Sequence, residues 1–148
     1  MVYEMIRKRI SDTVPFARHI GVEVLSVGDG VSECTVQLKP ELLNHIGSAH
    51  AGVIFTLAET ASGGAMGGAL APFMMEARPV VSNSSMEFLK VGKTTLTAHG
   101  KTEDDPAELR ENLKTEGKII FNVIVTIKDE EENDISVVKV TWHVSLKK

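Results

Sequence analysis

Glu59 is the only Asp, Glu, Lys or Arg between Glu41 and Glu76. It lies within a Gly- and Ala-rich apolar run. An ionised carboxylate in such a run is costly, because desolvation disfavours the charged form. A glutamate kept there is paired, neutralised or used. The segment just ahead, Asn44-His45-Ile46-Gly47-Ser48-Ala49-His50-Ala51-Gly52, is polar and contains glycine, which points to use. A working carboxylate serves as nucleophile or as general base on water. The bland alternative is a buried glutamate that caps a neighbouring strand or pairs with a basic residue.

The element that positions Glu59 is a long helix from about His50 to Leu70, stopped by Pro72. Ile54, Leu57, Ala61, Ala65 and Gly68 fall on one face at helical spacing. Gly63, Gly64, Gly67 and Gly68 each cost about 1 kcal/mol relative to alanine inside a helix. They make sense only where another backbone comes very close, either a sheet wrapped round the helix or a partner subunit.

The rest of the chain reads as strands around that helix. A short helix over Glu4 to Ser11 precedes a hairpin made of Val22 to Val27, the turn Gly28-Asp29-Gly30, and the alternating run Val31 to Leu38. After the helix come extended segments at Pro79 to Leu89 and Thr94 to Glu103. Asp104 to Glu116 is a charged loop or short helical excursion. Lys118 to Lys128 alternates strictly and its apolar content suggests a central position, and Ile135 to Leu146 is the last strand. A hairpin, one long helix and then more strands make an α+β chain with a mainly antiparallel sheet.

Composition narrows the classes of function. The 148 residues carry 43% hydrophobic and 24% charged side chains with a net charge of -4, as an ordinary globular domain does. Nothing here calls for nucleic acid or an anionic membrane as partner. The single cysteine, Cys34, excludes an intrachain disulfide and suits a reducing, cytoplasmic setting, where it reads as a buried, inert thiol. Met1 to Arg9 is basic without an apolar core behind it, unlike a secretory signal. Ile46 to Met75 is apolar, but Glu59, Pro72 and the glycines argue against a membrane span. Gly63-Gly64-Ala65-Met66-Gly67-Gly68 lacks the Lys-Ser/Thr of a phosphate loop. His45 and His50 lack partners in ligand register for zinc, and no Gly-x-Ser-x-Gly elbow occurs.

The segment Asn44 to Gly52, followed by Glu59-Thr60-Ala61, resembles the signature of hotdog-fold acyl-CoA thioesterases, in the phenylacetate-pathway thioesterase-like branch. That signature has an Asn, a short spacer with Gly, His-Gly-Gly opening the central helix, and an Asp or Glu a few turns on. The element order resembles the family over most of the chain. The resemblance implies a single hotdog domain over residues 1–148, with a long central helix wrapped by a curved sheet of five to six strands. It implies hydrolysis of an acyl-CoA thioester to free acid and CoA, without metal or organic cofactor. The chain departs from the pattern twice: Ala51 replaces the first glycine, and Glu59 replaces the usual aspartate.

On this reading the helix N-terminus, with its unpaired N–H groups and partial positive charge, polarises the thioester carbonyl through the Ala51 N–H. Nine residues separate His50 from Glu59, about 13 Å of helix. Glu59 therefore cannot reach a carbonyl held at the start of its own helix. Active sites shared between subunits of a homodimer or homotetramer follow. By resemblance, Asn44 holds the thioester carbonyl or the attacking water, and Ser82 orients that water. Asn44 also reads as a turn residue and Ser82 as a polar strand residue. His50 caps the helix or takes part in catalysis, and His45 has no assignment. Gly52 completes the helix start, and Ser62 and Gly63, a turn beyond Glu59, are weaker water- or substrate-binding candidates. Lys90 and Lys93 are candidates for the CoA phosphates. Phe16, Phe55, Phe73, Met74 and Met75 are candidates for an acyl pocket. Two other readings stand beside this one: a non-catalytic acyl-CoA-binding hotdog protein, and a hotdog dehydratase or hydratase, which the Asn44 to Glu59 spacing fits less well.

Overall fold

Alternating apolar and polar side chains build one sheet. In the computed structural model, which describes residues 1–147, six strands pair antiparallel: Glu23–Gly28 (β1), Val31–Val36 (β2), Ala77–Phe88 (β3), Leu96–Thr102 (β4), Lys118–Lys128 (β5) and Asp134–Leu146 (β6). Their spatial order is β1-β2-β4-β5-β6-β3. The inward set of β5 (Phe121, Val123, Val125, Ile127) and that of β6 (Val138, Val140, Trp142, Val144) are buried. β5 lies between β4 and β6, the interior place its apolar content predicts. This is an α+β hotdog fold, with the sheet curved round one long helix.

That helix is Ala51–Ala69 (α3). Ile54, Leu57, Ala61, Ala65 and Gly68 are buried together against the sheet. A Cβ on Gly68 would collide with the carbonyl oxygen of Gly28, and one on Gly64 with the hydroxyl of Ser32. Gly100 of β4 answers from the sheet side, where a Cβ would lie 2.9 Å from the Ala61 carbonyl oxygen. The helix and sheet backbones approach as closely as the glycines predict. At its far end α3 stops before Pro72, which cannot continue a helix. The Arg110 guanidinium donates to the Ala69 carbonyl at 2.9 Å and to Asp29 at 2.7 Å, which satisfies one orphan carbonyl at that terminus.

Three further helices surround this core: Val2–Thr13 (α1), Pro15–Ile20 (α2) and Pro106–Glu116 (α4). α4 occupies the segment read as a loop or short helical excursion. Its side chain at Asp105 accepts from the Ala107 N–H at 2.8 Å, Pro106 opens it, and Gly117 at φ 76° closes it. α2 was not foreseen, since Ala17 is its only buried residue and six residues carry too little periodicity. Cys34 is fully buried, and burial pushes its thiol up to about 12.

The sheet has two edges with different fates. α1 packs over β1, and Arg7 donates to the Val24 carbonyl at 3.1 Å. β3 has only β6 beside it, and Val80, Val81, Phe88 and Leu89 are exposed on or just past it. No helix among the described residues is long and apolar enough to cross a membrane.

Candidate active site

The loop before α3 is held by Asn44. Its Oδ1 accepts from the Ile46 N–H at 3.1 Å and the Ser48 N–H at 3.0 Å, while its Nδ2 donates to Ser48 Oγ at 2.9 Å. The chain then enters the helix at His50, whose extended backbone (φ -64°, ψ 143°) makes it the N-cap. His50 Nδ1 accepts from the Gly52 N–H at 2.8 Å. One of the first free N–H groups is thereby taken, and His45 stays exposed at the loop surface. The Ala51 N–H has no acceptor among the described residues, and Ala51 is exposed. An unpaired donor at the positive end of a helix suits a developing oxyanion.

Glu59 sits two turns further along, about 12 Å from Ala51 at the rise of an α-helix. Burial alone raises its carboxyl pKa above the ordinary value, with no hydrogen bond or neighbouring charge opposing it. It takes no part in the ion pairs of the described residues. The carboxyl borders a cavity of about 360 Å³ between α1, α3 and the turn after α3. Gly63, Gly67 and Met66 also line that cavity, as do Met74 and Met75, two of the residues expected in an acyl pocket. Phe16, Phe55 and Phe73 do not line it.

Ser62 is fully buried behind that wall. Its hydroxyl donates to the Glu59 carbonyl at 2.7 Å and accepts from the Trp142 indole N–H at 3.1 Å. It fixes the Glu59 turn against β6 and does not face the cavity. Trp142, which the sequence reading did not single out, borders the cavity beside Gly63, where a Cβ would lie 3.7 Å from its ring. A lone tryptophan in an alternating strand carries no signal beyond core. Ser82 lies on the exposed edge strand at a bulge between Val81 and Asn83, with a 3.4 Å bond to the Thr141 carbonyl, outside the cavity. Lys90 and Lys93 are exposed on either side of Val91-Gly92, and the Gly92 carbonyl accepts from the Ala49 N–H at 2.8 Å. The lysine turn is thus pinned beside the start of α3. One chain therefore brings Asn44, His50, Ala51, Gly52, Lys90 and Lys93 to one end of α3, and Glu59 and Gly63 to its middle. Among the described residues, no three His, Cys, Asp or Glu side chains come together to hold a metal ion.

A family model described as a domain of unknown function, DUF4442, matches residues 3–144. The chain belongs to this family. No curated protein matches it. Among solved structures, a protein of unknown function from Pseudomonas aeruginosa, called a probable thioesterase, superposes with a TM-score of 0.81 at 21% identity, covering 97% of this chain and 95% of its own. The PaaI protein of the Escherichia coli phenylacetic acid degradation operon gives 0.75 at 20% identity, with 98% and 96% covered. A hypothetical thioesterase from Streptococcus pneumoniae, crystallised with coenzyme A, gives 0.69 at 24% identity, with 95% and 98% covered. At these identities the DUF4442 chain shares their fold.

Proposed function

We propose that this chain hydrolyses an acyl-CoA thioester to a free carboxylic acid and CoA, without metal or organic cofactor. The observation that carries the reading is the Glu59 carboxyl, unpaired, raised in pKa by burial and opening on an apolar cavity. The Ala51 N–H, free at the start of the same helix, supplies the electrophilic partner. Water attacks the thioester carbon as Glu59 takes its proton, or Glu59 attacks first and water then opens the anhydride. Either way the carbon–sulfur bond breaks and the thiolate leaves with a proton. Asn44 acts through its loop, holding the approach to His50 and Ala51. Lys90 and Lys93, pinned beside that approach, meet the CoA phosphates. That a protein of the same fold was crystallised with coenzyme A supports this class of ligand.

The spacing of about 12 Å between Ala51 and Glu59 requires two subunits, each lending one group to a shared site. The bare β3 edge, with its unpaired backbone and exposed apolar side chains, is the surface that a second copy would pair with. Ser82, on that edge, then approaches the partner's site.

Thiol release from a panel of acyl-CoA esters tests the chemistry. Glu59→Ala is expected to lose about a hundred- to ten-thousand-fold in kcat, the range for a missing base. An unchanged rate, or ester binding without thiol release by the wild type, would falsify the reading in favour of an acyl-CoA-binding module. Ala51→Pro tests the sharing. Proline fits a first helical position, and the extended His50 before it tolerates proline, yet the N–H is gone. Each variant alone should be inactive, and co-expressed mixtures should regain activity. Mixtures as dead as the parents would rule out shared sites.

A further inference from the structure

The cavity beside Glu59 has an unusual roof. α1 supplies Val2, Met5, Ile6, Ile10 and Thr13 to its lining at helical spacing, yet no residue of α1 is buried. Met5 is 68% exposed and Val2 44%. An apolar helical stripe normally closes on protein; this one rests on protein at Ile6 and Ile10 and faces the cavity at Val2 and Met5. It is nevertheless anchored. Ile6 sits directly on Gly67, where a Cβ would meet its methyl at 3.0 Å, and Arg9 reaches the Met75 sulfur at 3.8 Å.

The floor runs in one direction. From Glu59 the helix presents Gly63 and Gly67 to the cavity at four-residue spacing, and Ala71 of the turn after α3 borders it beyond. From Glu59 to Gly67 it covers about 12 Å. Four methionines, Met5, Met66, Met74 and Met75, line the space, out of 6 in the whole chain. Methionine is flexible and fits irregular apolar occupants. The one aromatic side chain in the lining is Trp142, so a flat ring would find a single stacking partner. At roughly 30 Å³ per heavy atom, the share of one water in the liquid, 360 Å³ holds about a dozen.

We infer that this cavity is the acyl site, that its occupant is an unbranched apolar acyl chain of medium length, and that α1 is its roof and gauge. The inference rests on the thioesterase reading for its connection to Glu59. The chain starts at the carboxyl, passes over Gly63 beside the Ile6 that covers Gly67, and ends among the methionines. It supplies the apolar surface that α1 lacks.

The test separates the two readings. Trp142 is the only tryptophan, so its emission reports occupancy of the cavity. The non-hydrolysable thioethers S-decyl-CoA and S-ethyl-CoA serve as probes, alongside thiol release from acetyl-, hexanoyl-, decanoyl-, palmitoyl- and benzoyl-CoA. S-decyl-CoA should shift Trp142 emission and S-ethyl-CoA should not. kcat/KM should rise about fourfold per added methylene until the space is full, then fall for palmitoyl. Gly63→Val from the floor and Ile10→Phe from the roof should each move the optimum to a shorter chain, by at least tenfold in the decanoyl-to-hexanoyl ratio. A Trp142 response to S-decyl-CoA without any thiol release keeps the acyl site and sinks the hydrolase. Thiol release with a flat chain-length profile, a preference for benzoyl, or an optimum unmoved by both variants overturns the acyl site and leaves the hydrolase standing.

Discussion

α3 carries two pairs of glycines, and they do opposite things. Gly64 and Gly68 are sealed against the β1–β2 hairpin, where even a methyl would strike Ser32 and the Gly28 backbone. Gly63 and Gly67, one residue earlier in each case, look the other way into the cavity under α1. The residue type is the same and the four-residue spacing is the same. On the sheet side the missing side chains let two backbones touch. On the cavity side Gly67 seats Ile6 of α1, and Gly63 opens on the cavity beside Trp142. Absent side chains thus let backbones touch on one face, and on the other they seat a helix and border a cavity; only the neighbours tell the two apart.

The largest effect should come from breaking the sealed side. Gly68→Ala places its methyl against a carbonyl that cannot swing away, and overpacking of this kind costs about 1–3 kcal/mol. That outweighs the gain in helix propensity, and a chemical denaturation series should show it. A Gly68→Ala protein as stable as the wild type would mean the hairpin yields freely.

Gly63→Ala should run in the opposite direction. Its methyl would meet Trp142 at an ordinary 3.7 Å, so the helix gains up to about 1 kcal/mol. That is roughly a 2–4 °C rise in Tm for a chain of this size. Activity toward longer acyl esters should fall at the same time. A variant that gains neither stability nor selectivity would erase the contrast between the two pairs.

The smallest effect is in the pH dependence at the head of the open row. Burial raises the Glu59 pKa in the folded state, so the folded protein holds a proton that the unfolded chain has released. Stability from this group is therefore fully present below the unfolded value of about 4.3. It is lost as pH rises through the raised folded value. Glu59→Gln removes that loss. Its Tm should draw ahead of wild type across this window and stay level above it. Parallel Tm profiles would place the Glu59 carboxyl in solvent. The acid limb of kcat/KM in the wild type should fall in the same window.

Much of this could be read from the residues alone, for reasons that differ by region. β5 was legible to the residue, Lys118–Lys128, because one face is core and the other is not. α3 was legible within about a residue at each end because His50 and Pro72 punctuate it. α4 was ambiguous because Leu109 and Leu113 are its only buried residues, too thin a stripe among so many charges. In the site, Glu59 stood out as the single charge in an apolar run. The cavity did not, because it depends on where α1 lands, and nothing local to Val2–Thr13 encodes that Ile6 rests on Gly67. Nor could spacing show that Ser62 is spent on Trp142 and the Glu59 carbonyl, or that Ser82 lies on an edge strand away from the cavity of its own chain.

Cys34 has a consequence at the bench. Its thiol is sealed between β2 and the helix, fully buried and pushed up to about 12, while the reactive form of a thiol is the thiolate. A thiol-specific dye added to the folded protein therefore stays dark, and any colour that follows an added acyl-CoA ester comes from free CoA thiol. The same dye, given no substrate and a rising temperature, counts the molecules that have opened. One reagent then reads unfolding in a substrate-free run and tests the proposed thioester cleavage in a run on the folded protein.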